Sequence, residues 1–218
     1  MSEVSVRKLG LQDYEPVWRA MQRFTDLRDA ATPDEIWLCE HHPVFTLGLS
    51  AALEHLLAPG DIPVVQIDRG GQVTYHGPGQ LMIYTLIDIR RAGLGVRDLV
   101  TALEQCVVDL AAESNIAAAS RPDAPGVYVD GVKLASVGLR IRRGASFHGM
   151  ALNVNVDLEP FSRINTCGFQ DLDVTDLARL GAEDDASLVG DRLLPHLLRH
   201  LRLDGAVLSD GPANLELS

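Results

Sequence analysis

Lysine, cysteine and long apolar runs are scarce in this 218-residue sequence, and each scarcity excludes a class of protein. The 19 basic residues are 17 arginines and only two lysines, Lys8 and Lys133. Three cysteines are too few for a disulfide scaffold, and their odd number suits a reducing compartment. No stretch reaches the ~20 apolar residues that a membrane-spanning helix needs, and the first residues do not resemble a secretory signal. We therefore expect a cytoplasmic protein that contacts no membrane.

Net charge and composition narrow the possible partners and the domain organisation. The net charge is -11, so a broad surface for nucleic acid phosphates is excluded, and we expect no nucleic acid partner. Hydrophobic residues make up 46% of the chain and charged residues 22%, which is typical of a folded globular protein. The length suits one catalytic domain over residues 1–218, with a loose tail at 209–218.

Apolar periodicity predicts helices mixed with short strands. Spacings of three and four residues predict helices at 13–30, 95–114, 173–180 and 187–202. The dipeptide Asp130-Gly131 lies between two alternating apolar runs, which is a strong signal for a β-hairpin, and a second turn is predicted at Arg143-Gly144. Strands joined by hairpins, with helices at the ends and in the middle, predict an α/β fold of the α+β type. The expected architecture is a mixed sheet with packed helices, and not a doubly wound sheet.

The densest chemical stretch is a glycine-rich segment at residues 69–80. Its four glycines and one proline allow the backbone to approach a ligand closely, and its polar side chains are suited to lining a pocket. The segment lacks the Gly-Lys-Ser/Thr of a phosphate-binding P-loop and also lacks the G-x-G-x-x-G pattern. From composition alone, a glycine-rich turn between two strands remains an equal alternative.

The cysteines and the second lysine differ in their surroundings. Cys39 and Cys106 lie in apolar segments that predict buried, structural thiols. Cys167 lies in an irregular stretch and is followed by glycine, which makes it the better nucleophile candidate, although an inert loop thiol remains possible. Lys133 follows the predicted hairpin turn, where a solvated charge is the ordinary alternative. A lysine retained in an arginine-rich chain is notable because lysine, unlike arginine, can release its proton.

Two further groups of side chains have ordinary alternatives. The histidines have none of the spacings of common metal sites, so we expect structural or substrate-lining roles for them and no bound metal; they are His41, His42 and His148. Three arginines near the second predicted turn are typical of a solvated strand edge, but on an acidic protein they also suit the docking of an acidic partner. They are Arg140, Arg142 and Arg143.

Four stretches in one order carry a resemblance to a known family. They are HHPVFTLG at 41–48, DRGGQVTYHGPGQL at 68–81, RPDAPGVYVDGVKLASVGLRIRRGASFHGMALNVNVDL at 121–158 and INTCGF at 164–169. In these residues the sequence resembles the lipoyl(octanoyl) transferases of bacterial lipoate biosynthesis. The resemblance covers most of residues 35–170. It implies the fold shared by biotin protein ligases and lipoate-protein ligases.

The resemblance also implies roles for matched positions. Cys167 matches the nucleophile that carries the acyl group as a thioester, and Lys133 matches the lysine that lowers the pKa of that thiol. Thr166 stands where the family often has proline, a departure beside the nucleophile that leaves the Cys-Gly pair intact. The substrate-binding segments match Arg69, Gly70, Gly71, Gln72, Val73, Thr74, Tyr75, His76, Ser136, Val137, Gly138, Gly149, Met150 and Ala151.

The activity implied is transfer of an octanoyl or lipoyl group from acyl carrier protein to a lysine amine. The implied acceptors are the lipoyl domains of 2-oxoacid dehydrogenase E2 subunits and the glycine cleavage H protein. The donor thioester is already activated, so neither ATP nor a cofactor is expected. We expect the acyl chain to contact Tyr75, Val137 and Met150, and the developing oxyanion to meet amides near Gly77-Pro78-Gly79 or Cys167-Gly168.

Three other activities remain open at this point. An ATP-dependent lipoate or biotin ligase would share the fold but would need no thiol nucleophile. A cysteine thioesterase would release octanoate to water and would prefer a histidine base, for which His76 and His148 are candidates. A non-catalytic module that binds carrier protein would form a complex without any covalent intermediate.

Overall fold

The structure, a computed structural model, describes residues 3–165, 173–203 and 205–209. Within these ranges the chain forms three α-helices and eleven β-strands. The helices are α1 (Tyr14–Leu27), α2 (Val96–Glu113) and α3 (Ala186–Leu201). The strands are β1 (Glu3–Gln12), β2 (Asp34–His41), β3 (Val44–Leu47), β4 (Val64–Gln66), β5 (Val73–His76), β6 (Gln80–Leu86), β7 (Ala118–Ser120), β8 (Gly126–Val129), β9 (Val132–Arg142), β10 (Ala145–Asn153) and β11 (Gly205–Ser209).

Eight of these strands form one mixed sheet in the order β11-β1-β2-β6-β10-β9-β8-β7. Strand β1 runs parallel to both β11 and β2, and the remaining neighbours are antiparallel. A smaller sheet in the order β4-β3-β5 packs beside it. The predicted α/β fold with a mixed sheet and packed helices is therefore confirmed.

The large sheet carries helices on both faces because its central strands have apolar side chains on both faces. In β6, Leu81 and Ile83 belong to the cluster beneath α2 and α3, whereas Met82 and Tyr84 belong to the cluster beneath α1. Side chains of successive strand residues point to opposite faces, so one strand supplies both clusters. The sheet is consequently the middle layer, and the α1 face is the one that carries the site described below.

Two hairpins set the path of β9, the longest strand of the sheet. Asp130 and Gly131 have positive φ angles of 50° and 84°, and Arg143 and Gly144 have 54° and 88°. Two consecutive residues with positive φ produce the tight turn whose twist matches that of the flanking strands. Both predicted turns are confirmed, and they place β8, β9 and β10 side by side.

One predicted helix is wrong, and four strands were not predicted. The described part of 173–180 forms an isolated bridge and turns, because the Asp173 carbonyl accepts from the Lys133 amide and the Thr175 amide donates to the Lys133 carbonyl, each at 2.9 Å. Those bonds to a distant strand exclude helical pairing of the same backbone groups. The unpredicted strands are β1, β5, β7 and β11, of which β1 and β11 pair with each other. The single-domain organisation stays a prediction, and most of the expected tail, residues 210–218, lies outside the described residues.

Candidate active site

A narrow cleft lies where the glycine-rich segment crosses the α1 face of the sheet. It brings together all the predicted substrate-binding residues except Gly70 and Tyr75, although they come from three separate stretches of sequence. The lining residues are Tyr14, Arg69, Gly71, Gln72, Val73, Thr74, His76, Met82, Tyr84, Ser136, Val137, Gly138, His148, Gly149, Met150 and Ala151. The segments that resemble substrate-binding segments thus meet at one site.

Two glycines directly opposite each other make this approach possible. Gly138 of β9 pairs with Gly149 of β10. A Cβ atom on Gly138 would lie 3.0 Å from Cδ of Arg69, and one on Gly149 would lie 1.9 Å from the carbonyl oxygen of Ile83. The missing side chains therefore let Arg69 reach across β9 and let β6 and β10 approach closely.

A chain of hydrogen bonds fixes His76 at the floor of the cleft. Arg69 Nη2 donates to Thr46 Oγ1 at 2.9 Å, so the Thr46 hydroxyl donates to His76 Nε2 at 3.1 Å. Gln80 donates its amide N–H to Asn153 Oδ1 at 2.9 Å, which leaves Gln80 Oε1 to accept from His76 Nδ1 at 2.7 Å. Both ring nitrogens of His76 are occupied. His76 is thus an orienting residue and is poorly placed to act as a general base.

The surroundings of His76 keep its ring neutral. Burial and the neighbouring His41 ring hold the pKa of His76 well below its usual value. The Tyr14 ring stacks on His76 with 5.5 Å between ring centroids and an interplanar angle of 8°. Burial also raises the pKa of Tyr14, so α1 presents an uncharged phenol to the cleft.

His148 combines an unusual backbone with an unsatisfied nitrogen. Its φ angle is +61°, which is uncommon for a residue other than glycine. His148 Nε2 lies 3.1 Å from Asp68 Oδ1, which also accepts from Trp18 Nε1 at 2.8 Å. Burial lowers the pKa of His148, although Asp68 opposes the shift. Nδ1 of His148 has no hydrogen-bond partner among the described residues, and this buried nitrogen borders the cleft.

The apolar wall of the cleft differs from the predicted one. Tyr75 packs on the other side of β5, against Phe45 and Phe161 at centroid distances of 5.6 and 5.4 Å, because strand residues alternate between faces. Val137 and Met150 border the cleft, but they pack with the cluster beneath α2 and α3. The apolar side chains of the α1 face are instead Met82, Tyr84 and Ala151. Of these, Met82 and Tyr84 were missed, and the alternation of β6 is the signal that identifies them.

Lys133 is almost completely buried, so the alternative of a solvated strand charge is wrong. Its Nζ lies 5.4 Å from the centroid of the Tyr128 ring, and its backbone pairs with the residues that follow the undescribed segment 166–172. The predicted nucleophile Cys167, with its neighbours Thr166 and Gly168, lies outside the described residues. Asp173, the first described residue after Cys167, is hydrogen-bonded to the Lys133 backbone.

The other candidate side chains and amides are buried or already hydrogen-bonded within the protein. Cys39 and Cys106 are buried as predicted, and burial raises the pKa of both thiols far above the usual value. His41 contacts the Gln12 carbonyl at 3.0 Å and the Tyr84 hydroxyl at 2.6 Å. The Gly79 amide donates to Glu40 Oε2 at 2.7 Å, so this predicted oxyanion donor is already engaged.

The described residues contain neither a candidate metal site nor a helix able to span a membrane. Residues 3–165, 173–203 and 205–209 hold no group of three or more histidine, cysteine or acidic side chains placed to bind a metal ion. Among these same residues, no helix is both long and apolar enough to cross a membrane. A wider open groove of about 600 Å³ lies along α1 and shares Tyr14 with the cleft. It contains His42 but neither Lys133 nor any residue of the predicted substrate-binding segments.

Comparison with known proteins connects this geometry to one family. A model of the lipoyl protein ligase A/B catalytic domain matches residues 13–197, which include the cleft, Lys133 and Cys167. The chain belongs to this family. Among curated members, an octanoyltransferase of Pseudomonas fluorescens (strain Pf0-1) is 59% identical over 195 residues, which are 89% of this chain and 91% of the relative.

Solved structures of a lipoate-protein ligase and a biotin protein ligase are similar in fold. A lipoate-protein ligase A bound with ATP superposes with a TM-score of 0.79 at 13% identity, covering 98% of this chain and 91% of that one. The biotin protein ligase of Aquifex aeolicus gives a TM-score of 0.54 at 13% identity, covering 93% and 70%. The predicted biotin protein ligase and lipoate-protein ligase fold is therefore confirmed.

Proposed function

We propose that the protein is an octanoyltransferase of lipoate biosynthesis. It takes an octanoyl group from the thioester of acyl carrier protein and delivers it to a lysine of lipoyl domains, namely those of 2-oxoacid dehydrogenase E2 subunits and the glycine cleavage H protein. The observation that carries the proposal is the 59% identity to an octanoyltransferase over nearly the full length of both chains. The reduced thiol that the chemistry needs suits a cytoplasmic location.

The proposed catalytic pair is Cys167 and Lys133. A free thiol is only ~3% thiolate at pH 7, and a nearby ammonium group stabilises the thiolate. Two observations support Lys133 in this role. Its side chain is buried. In addition, Asp173, which is six residues after Cys167, is hydrogen-bonded to the Lys133 backbone.

The reaction proceeds in two acyl transfers. The Cys167 thiolate attacks the donor thioester carbonyl, the C–S bond to the carrier breaks, and Lys133 gives its proton to the departing thiolate. The amine of the acceptor lysine then attacks the Cys167 thioester and loses a proton to the neutral Lys133 amine. The amide forms, Cys167 leaves as thiolate, and the original charge state returns.

The cleft provides the binding site for the acyl group in this proposal. Gly138 and Gly149 leave the space, Met82 and Ala151 give an apolar wall, and the hydrogen-bonded Arg69 fixes the glycine-rich segment. Burying an acyl chain contributes ~0.8 kcal/mol per methylene group. Octanoyl and lipoyl groups are the substrates that this apolar strip is proposed to accept.

The test is transfer from octanoyl carrier protein to a lipoyl domain in the absence of ATP. We expect octanoylation by the wild-type protein, none by Cys167→Ser, and a loss of at least ~100-fold for Lys133→Arg, because arginine cannot exchange the proton. Lys8→Arg is the matched control and should retain wild-type transfer, since Lys8 pairs with Asp191 on the surface. A strict requirement for ATP would instead indicate a ligase. Release of free octanoate without octanoylated domain would indicate a thioesterase.

A further inference from the structure

A carboxylate from α2 enters the core beside the proposed catalytic lysine. Glu104 is only 7% exposed, although its neighbours on this face of α2 are apolar. Its Oε1 accepts a hydrogen bond from the Gly126 amide at 2.8 Å. Acidic side chains are rarely buried without a partner. A buried Glu104 therefore indicates a nearby group that interacts with its carboxylate.

The Lys133 side chain approaches the same glycine. A Cβ atom on Gly126 would lie 2.9 Å from Cε of Lys133 and 2.4 Å from the Ala135 carbonyl oxygen. The φ angle of Gly126 is +138°, which also favours glycine. Gly126 is therefore the point where the Glu104 carboxylate and the end of the Lys133 side chain come together.

The groups that face Lys133 come from several elements. Glu104 approaches from α2, and the Tyr128 ring approaches from β8. Arg121 packs over that same ring, and its charge is paired with Asp123. Burial raises the pKa of Glu104, whereas the Gly126 amide and the charge of Lys133 oppose that rise. Glu104 and Lys133 thus interact electrostatically in a poorly solvated region.

We propose that Glu104 is a positioning residue that acts through Lys133 and favours its ammonium form. The inference rests on the proposed function, in which that ammonium group stabilises the Cys167 thiolate and protonates the departing thiol. A buried carboxylate stabilises a nearby cation. It also favours the second proton transfer of the cycle, in which the neutral Lys133 amine takes the proton of the acceptor lysine.

The experiment compares Glu104→Gln with wild type across pH 6 to 10. Glutamine keeps an oxygen for the Gly126 amide and removes only the charge. We expect the alkaline limit of octanoyl transfer to move about one pH unit lower, because Lys133 loses its proton more easily. Alkylation of Cys167 by iodoacetamide over the same range is the second readout. Its acid limit should stay in place, because low pH favours the ammonium form of a lysine whether or not Glu104 is charged.

The matched control is Glu113→Gln on the same helix. Glu113 is paired with Arg192 and His196 at the surface, so its neutralisation should leave both pH limits unchanged. An unchanged alkaline limit in a folded and active Glu104→Gln protein would overturn the inference. If that variant does not fold, Glu104→Asp retains the charge and should keep the wild-type limits, and a displaced alkaline limit there would equally count against it. A wild-type protein without transfer would instead contradict the proposed function.

Discussion

Three buried histidines are neutral in the folded protein, and this should make its stability depend on acidity. Burial lowers the pKa of His41 to about 4, and it also lowers those of His76 and His148. A histidine with a lowered pKa in the folded state takes up its proton first in the unfolded state. Stability is therefore fully present above the unfolded pKa of ~6.5 and declines as the pH falls toward the folded value.

We expect His41→Gln to remove part of this decline. For a shift from ~6.5 to about 4, His41 alone should account for ~2 kcal/mol of the stability lost between pH 7.5 and 5. Urea unfolding at the two pH values measures it, with the exposed neighbour His42→Gln as the control that keeps the full decline. An identical decline in wild type and His41→Gln would contradict the neutral, buried state of His41.

The surroundings of individual side chains could be predicted only in part from the residue types. The spacing around Cys39 and Cys106 correctly indicated buried thiols, because an apolar neighbourhood is visible in the sequence. The unsatisfied Nδ1 and positive φ of His148 could not be predicted, since they depend on Asp68 and the glycine-rich segment eighty positions away in the chain. Histidine at this position was expected only to be structural or to line the substrate site.

The strand pair β9 and β10 is the element on which the cleft depends. Gly149 lies against the backbone of β6, where a carbonyl oxygen cannot move aside without breaking the sheet. We expect Gly149→Ala to lower the free energy of unfolding by ~2 kcal/mol or more, as overpacking against a rigid neighbour does. Chemical denaturation measures this.

The control at this level is Gly205→Ala in β11. A Cβ atom there meets nothing within 4 Å, so the stability should change little. A wild-type unfolding midpoint for Gly149→Ala would show that β6 and β10 do not require the close approach described here. If Gly149→Ala and Gly205→Ala lowered the free energy of unfolding equally, close packing at Gly149 would not explain the loss.

Elements with a local signal were predicted well, and those defined by distant pairing were not. The Asp130-Gly131 hairpin follows from two adjacent residues, and α1 and α2 follow from their apolar stripes. The helix expected at 173–180 was wrong because its apolar spacing cannot reveal that Asp173 and Thr175 bind the backbone of Lys133. Strands β1 and β11 form a parallel pair from the two ends of the chain, which has no local signature.

At the scale of the whole molecule, the basic side chains of this acidic chain differ in their surroundings. Arg69 and Lys133 are buried, whereas two arginines of the predicted docking cluster contact the end of α1, Arg142 through the Asp26 carboxylate and Arg143 through its carbonyl. The mixed sheet and most of the cleft lining could be predicted because the family segments keep their order. Tyr14 could not, since only the folding of α1 onto the glycine-rich segment brings it there.

The intact mass of the protein after incubation with octanoyl carrier protein, without an acceptor, tests the catalytic pair most directly. We predict a gain of one octanoyl group, released by hydroxylamine and mapped by peptide sequencing to Cys167. Lys133→Arg should acquire it far more slowly, and Cys167→Ser not at all. An octanoyl group on another residue, or octanoyl transfer by a protein that never becomes acylated, would contradict a thioester at Cys167.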